Sequence, residues 1–306
     1  MKNQYSAAEN ADETADEFIQ LVDDLSYAKT FYPRSRITQY LNARAAQTYM
    51  RIYQNRKEER SRIKEFWKYS VPLTVRRHHT VLLFCAVLFI TFFIVGFYSS
   101  QHDESFVREM LGDSYVNMTE ENIENGKPFE VYAERNALLM WLGIMINNIL
   151  VAFGYFAKGL FLGVPLLISL LTEGVRLGAF EQMFFARGLG LQSLLTVFIH
   201  GTLEISAIVI AGAAGIVLGK SWLFPGTGKR TDAFIQGARD GVIILASLIP
   251  VFTVAAFFEG FVTRYYTMPW WLSGTILLLS CAYITWYYIL YPVQQHKRLT
   301  ANPKNS

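Results

Sequence analysis

The sequence predicts an all-α, polytopic membrane protein of about six transmembrane helices, preceded by a cytoplasmic helical hairpin. Three observations predict it. Apolar blocks long enough to cross a ~30 Å hydrocarbon core recur from residue 81 onward. The segments between them alternate between basic and acidic, as the positive-inside rule requires of successive connections. Residues 1–79 are instead polar and charged, with apolar residues at helical spacing. A content of 52% hydrophobic and 15% aromatic residues agrees, whereas the net charge of +3 says little as a total.

Taken in order, residues 1–18 read as a small, acidic, loose tail, without the apolar stretch of a cleavable leader. From Phe18 the spacing of Leu21, Val22 and Leu25 predicts a helix, which Pro33 ends. Ser35 caps a second helix with Ile37, Tyr40, Leu41, Ala45, Tyr49, Ile52 and Tyr53 on one side. Residues 44–77 are strongly basic. With Ile63, Phe66, Trp67 and Tyr69 among the cations, this stretch suits a helix lying in the lipid headgroup layer. Basic residues beside a span are explained by topology, so no nucleic acid is expected as a partner.

The first span is 81–98, uncharged and just long enough to cross. The acidic loop 99–136 follows, placing the N-terminus in the cytoplasm and this loop outside. Spans at 137–156 and 160–180 form a tight hairpin. Asn147 and Asn148 lie inside the first of these and need hydrogen-bond partners on other helices. Pro165 predicts a kink. Gly159/Gly163 and Gly174/Gly178 are small-residue pairs that favour close packing and a homodimer.

After an outside connection at 181–188, the run 189–219 would measure ~46 Å as one helix, so a strongly tilted, bent or interrupted helix near His200–Gly201 is expected. A basic loop over 220–240 returns to the cytoplasm. The fifth span, 241–261, carries Pro250 and Glu259. The sixth, 269–292, has Trp270 and Trp271 at one border and Tyr287, Tyr288 and Tyr291 at the other, as an aromatic belt. The tail 294–306 is basic and cytoplasmic. Cys85 and Cys281 fall inside apolar blocks and read as buried packing residues.

The chemistry concentrates in TVFIHGTLEISAIVIAGAAG, residues 196–215. A charge at mid-membrane costs roughly 2.5–3.5 kcal/mol, so His200 and Glu204 need a reason. Four residues apart, they lie ~40° apart on one helical face, and Gly201 and Gly215 allow neighbours to approach. The pair reads as a structural hydrogen-bonding centre, as the lining of a solute, lipid or proton path, or as two metal ligands. Glu173, Arg176, Glu259 and Arg264 extend this polar centre towards the outer half. No third metal ligand is identifiable by spacing, so neither metal nor cofactor is expected. GTGKRTD at 226–232 lacks the spacing of a phosphate loop, and no nucleophile motif is present, which argues against an enzyme.

The segments FYPRSRITQYLNARAAQTYMRIY, FWKYSVPLTVRRH, NNILVAFGYFAKGLFLG, TEGVRLG, HGTLEISAIVIAGAAGIVLG and FFEGFVTR together resemble the stage II sporulation protein M family (DUF95). The resemblance implies a multi-pass protein of the bacterial inner membrane. It marks Asn148, Gly159, Gly174, His200, Gly201, Glu204 and Glu259 as common polar and small residues. The member that names the family resembles a platform for envelope-remodelling partners. The expected function is accordingly a scaffold docking membrane or envelope proteins through its cytoplasmic helices and outer loop; the alternative is a transporter or channel-like component moving a solute or lipid past the His200/Glu204 centre.

Overall fold

The computed structural model describes residues 2–54, 59–129, 136–161, 163–263 and 268–301, and everything regular in them is helical. The chain divides into two compact units, 1–65 and 66–306.

In the first unit, α1 (Lys2–Phe31) packs on α2 (Arg36–Gln54), with α3 (Glu59–Glu65) following. The expected loose tail is helical from Lys2, because Ala and Glu favour helix and no Gly or Pro interrupts. The turn falls at Pro33, and Ser35 Oγ accepts from the Thr38 amide at 3.1 Å, an N-terminal cap. Thr38, Ala45 and Thr48 of α2 are buried, while Ile37 and Tyr40 are exposed. The predicted stripe therefore divides: Ala45 is buried and Tyr49 meets Phe18 of α1, with ring centroids 6.0 Å apart, whereas Ile37 and Tyr40 face away.

In the second unit, a π-helical stretch (Phe66–Ser70) leads into α4 (Val71–Arg77). Val71 and Val75 are fully buried in the main core. Tyr287 and Tyr291 donate hydroxyl bonds to the carbonyls of Trp67 (3.0 Å) and Lys68 (3.3 Å). The C-terminal part of the basic stretch is thus docked into protein. Those tyrosines also correct the expected belt: Tyr287 and Tyr288 are buried, and Tyr288 donates to the Ser247 carbonyl.

The bundle consists of α5 (His79–His102), α8 (Ala137–Lys158), α9 (Val164–Phe185), α10 (Gly190–Leu223), α11 (Arg230–Phe257) continued by a π turn (Phe258–Thr263), and α12 (Trp270–Thr285), a π turn (Trp286–Leu290) and α13 (Tyr291–Ala301). Five helices, namely α5, α8, α10, α11 with its π turn, and α12–α13, are long and apolar enough to cross a membrane. The chain is therefore a multi-pass membrane protein by helix composition. The sixth expected span is α9, which carries Glu173, Arg176 and Glu181 and does not meet that measure. It nevertheless runs parallel to α5 along much of its length: Gly174 lies on Phe89 and Gly178 on Phe93, backbone against backbone.

α10 is the central helix. Its 34 residues form one continuous helix, so the interrupted form of the expectation near His200–Gly201 does not hold. Nearly every face of it is covered by α5, α8, α9, α11 and α12, so no lipid-facing strip forces it to bend. Pro165 occupies the first turn of α9, where the missing N–H has no helical acceptor to lose, and makes no kink. The presumed outer connection 181–188 is helical through Phe185, and Glu181 is fully buried there. The basic loop after α10 shrinks to 224–229, the rest belonging to the end of α10 and the start of α11. Cys85 is buried as expected, whereas Cys281 is exposed.

Between α5 and α8 the acidic segment builds α6 (Glu104–Leu111) and α7 (Asp113–Glu124). Val107, Val116 and Phe129 join Met183, Phe184 and Val197 in a second, smaller core at that end of the bundle. Arg108 donates to Asn117 (2.6 Å) and Glu120 (3.0 Å), and Arg187 also pairs with Glu120. Asp103 caps α6; the Ser105 hydroxyl and amide hold its carboxyl below the ordinary carboxylate range.

Candidate functional site

Four helical elements bring polar side chains to the middle of this bundle. On α10, His200 and Glu204 share one face, one turn apart. Glu259 comes from the π turn after α11, where the wider helical turn re-aims side chains. The ligating atoms of His200, Glu204 and Glu259 all lie within 4.8 Å of one another. Spacing alone identified no third metal ligand, although Glu259 was expected in the outer part of the same polar centre. The fold supplies it from 55 residues downstream.

Thr263 fixes the imidazole. Its hydroxyl donates to the Phe258 carbonyl at 3.1 Å and lies 3.0 Å from His200 Nδ1. With the hydroxyl proton engaged by the carbonyl, Thr263 can only accept from the ring. Nδ1 therefore carries the proton, and the lone pair sits on Nε2. His200 and Thr263 are both buried, while Glu204 and Glu259 are half-buried.

Asn148 approaches from α8. It is 5% exposed, and its Oδ1 accepts from Asn147 Nδ2 at 3.4 Å. The two amides bond each other, and Asn148 also reaches Glu204 of α10, the contact to another helix that was expected. Asn148 Nδ2 interacts with the Glu204 carboxylate without making a hydrogen bond of standard geometry. From α9, Glu173 sits near enough to Glu204 to repel it, and pairs with Arg176 at 3.5 Å. This ion pair is on the turn that packs against Phe89–Phe93, halfway along α5. Arg264 lies outside the described residues.

The packing glycines divide. A Cβ on Gly159 or Gly215 would collide with the other's backbone or with that of Tyr155, and one on Gly174 would lie 2.9 Å from the Phe89 carbonyl. These three hold helices together within one chain, so they do not argue for a homodimer. Gly201 meets only side chains of its own helix, at 3.6 Å or more, and makes no close helix approach.

Two buried polar groups were not singled out from sequence. Asp240 accepts from Arg77 (2.7 Å), His78 (2.9 Å) and Gln236 (2.8 Å), locking α4 and the start of α5 to α11. Glu181 accepts from Ser193 at 3.3 Å, tying α9 to α10. Both lay in segments read as connections, where a carboxylate carries no signal. Asp240 is one of two acids, with Asp232, among the cations of 220–240, so nothing in the sequence set it apart.

Residues 85–264 match the family model described as stage II sporulation protein M. Residues 2–54 match a second, described as a domain of unknown function (DUF8413). Neither the curated proteins nor the solved structures contain a match to the chain. The first match covers more than half of the chain and includes every polar residue of the centre. The chain belongs to the stage II sporulation protein M family.

Proposed function

We propose that this member of the stage II sporulation protein M family is a transport-type membrane protein, not an enzyme, that admits a small cation to a polar crevice halfway through the bilayer. One observation carries the reading: charged groups at that level are left partly open. The Glu173 and Arg176 side chains are 38% and 52% exposed beside the middle of α5, and Glu204 and Glu259 are half-buried next to them. In hydrocarbon each such charge costs roughly 2.5–3.5 kcal/mol, so the opening calls for water. Carboxylates lining a wet crevice attract cations and reject anions. Continuous α10 then serves as the fixed wall, and the π turn bearing Glu259 as the element that can shift.

The test is flux through the full-length protein in proteoliposomes, followed with a proton-sensitive dye and with indicators for monovalent and divalent cations. Wild-type vesicles are expected to pass a cation that empty vesicles retain, and Glu204→Gln to slow this about tenfold or more, a loss of ~1.4 kcal/mol in the barrier. Wild-type flux equal to that of empty vesicles would reject the reading.

A scaffold role is the second reading, and a separate observation favours it. Tyr27, Phe31, Tyr32, Ile37 and Tyr40 stand exposed on the α1–α2 unit, an aromatic face of the kind that docks other proteins. Membrane or envelope proteins fit as partners, and a cytoplasmic position of this unit follows from the charge of the flanking segments. Charge substitutions at Tyr27 and Tyr40 are expected to abolish partner capture in cells while leaving cation flux intact. Unaltered capture would reject the scaffold.

A further inference from the structure

His200, Glu204 and Glu259, which the sequence placed in one polar centre without assigning Glu259 as a third ligand, offer one imidazole nitrogen and two carboxylates from two facing elements, within 4.8 Å of one another. Ligands sharing one ion at ~2.0–2.2 Å stand roughly 3–4.5 Å apart, so side-chain adjustment alone brings these three into range. We infer that these three residues bind one divalent transition-metal ion, with Asn148 as a fourth, amide ligand. The inference deepens the crevice reading above by naming what the crevice holds.

Three features beyond the cluster point to an ion. The first is Asn148, 5% exposed, which interacts with Glu204 while its amide nitrogen makes no hydrogen bond of standard geometry. A buried amide donor without a good hydrogen bond is costly, and a half-turn, which gives up the 3.4 Å bond from Asn147, presents its carbonyl oxygen to a cation at the same place. The second is the Thr263 hydroxyl, which holds His200 in the tautomer that leaves Nε2 as the ligand nitrogen. Metal-binding histidines use their other ring nitrogen in this way. The third is charge. Glu173 has its own cation in Arg176, whereas among the described residues neither Glu204 nor Glu259 makes an ion pair. Two adjacent carboxylates away from bulk water are balanced by one divalent ion.

The donor chemistry selects the class. Calcium and magnesium prefer all-oxygen shells, while an imidazole with carboxylates and an amide oxygen suits zinc, cobalt, manganese or iron in the divalent state.

The experiment is equilibrium titration of the full-length, chelator-stripped protein in detergent with Co2+, read by visible absorption, then displacement by Zn2+. One saturable site per chain is expected, with Zn2+ displacing Co2+ and Mg2+ or Ca2+ failing to. Glu204→Gln, Glu259→Gln and His200→Ala are each expected to weaken binding about tenfold or more, and Thr263→Val to weaken it by roughly tenfold with all ligands present. Circular dichroism sorts binding loss from misfolding, and the wild-type isotherm stands without any variant. Uptake no greater than that of the Glu204→Gln/Glu259→Gln double variant would overturn the site, as would binding of Ca2+ or Mg2+ alone. A chain that binds Co2+ but passes no cation keeps the site and loses transport; one that passes protons but binds no metal does the reverse.

Discussion

Gly215 and Gly201 stand on the same central helix, yet they should respond oppositely to a methyl group. A Cβ on Gly215 would lie 2.7 Å from the Tyr155 carbonyl, which is backbone and cannot step aside. Gly215→Ala is therefore expected to lower stability in detergent by about 1–3 kcal/mol. Gly201 has its nearest neighbour at 3.6 Å, so Gly201→Ala gains helix propensity of up to about 1 kcal/mol at no steric cost. Thermal unfolding of the two variants checks both signs; equal effects would contradict the packing described. Asp240 is the other residue whose removal should be felt. Its carboxylate is 4% exposed and holds Arg77, His78 and Gln236, so Asp240→Ala is expected to cost about 2 kcal/mol, read by the same unfolding. His200 and Glu204 were legible from sequence because a charge inside an apolar run violates its surroundings. Asp240 and Glu181 were not, because they sit beside other polar residues and become buried only through packing.

Among elements, α9 is the instructive case. Its charges keep it below the apolarity of a membrane span, while its parallel alignment with α5 gives it a span's position. A single cysteine at exposed Phe161, before α9, and one at exposed Phe185, at its end, should be labelled by impermeant reagents from opposite sides of sealed vesicles, in a Cys281→Ser background. Labelling from the same side would show that α9 does not cross. A second prediction concerns α6. The Asp103 cap depends on its carboxylate, whose folded-state pKa is lowered by Ser105. The stabilisation is therefore present above the ordinary carboxylate value and lost as pH falls through the lowered one. Amide exchange at the start of α6 should accelerate only in strong acid, and Asp103→Ala should exchange fast at all pH values. The helices themselves were readable from apolar blocks, caps and prolines. What periodicity could not reveal was the continuity of α10, since a helix covered on nearly all sides loses the length limit that lipid imposes.

For the whole molecule, the alternation of apolar blocks and charged segments was enough to give an all-helical membrane protein. It was not enough to give the centre. His200 and Glu204 declared themselves by their place in one helix, but Glu259 joins them through the π turn that ends α11, and Asn148 through the tight contact of α8 with α10 at Gly159 and Gly215. Such meetings depend on tertiary packing, which residue spacing does not encode. The account stands on these groups forming a water-reached centre at mid-depth. The most direct measurement is the reactivity of Glu204→Cys, in the Cys281→Ser background, towards a charged thiol reagent added to one face of sealed vesicles. The account predicts rapid modification from a single face, slowed by added divalent cations if Glu259 and His200 retain the ion. Reaction only with a lipid-soluble reagent, or with none, would contradict it.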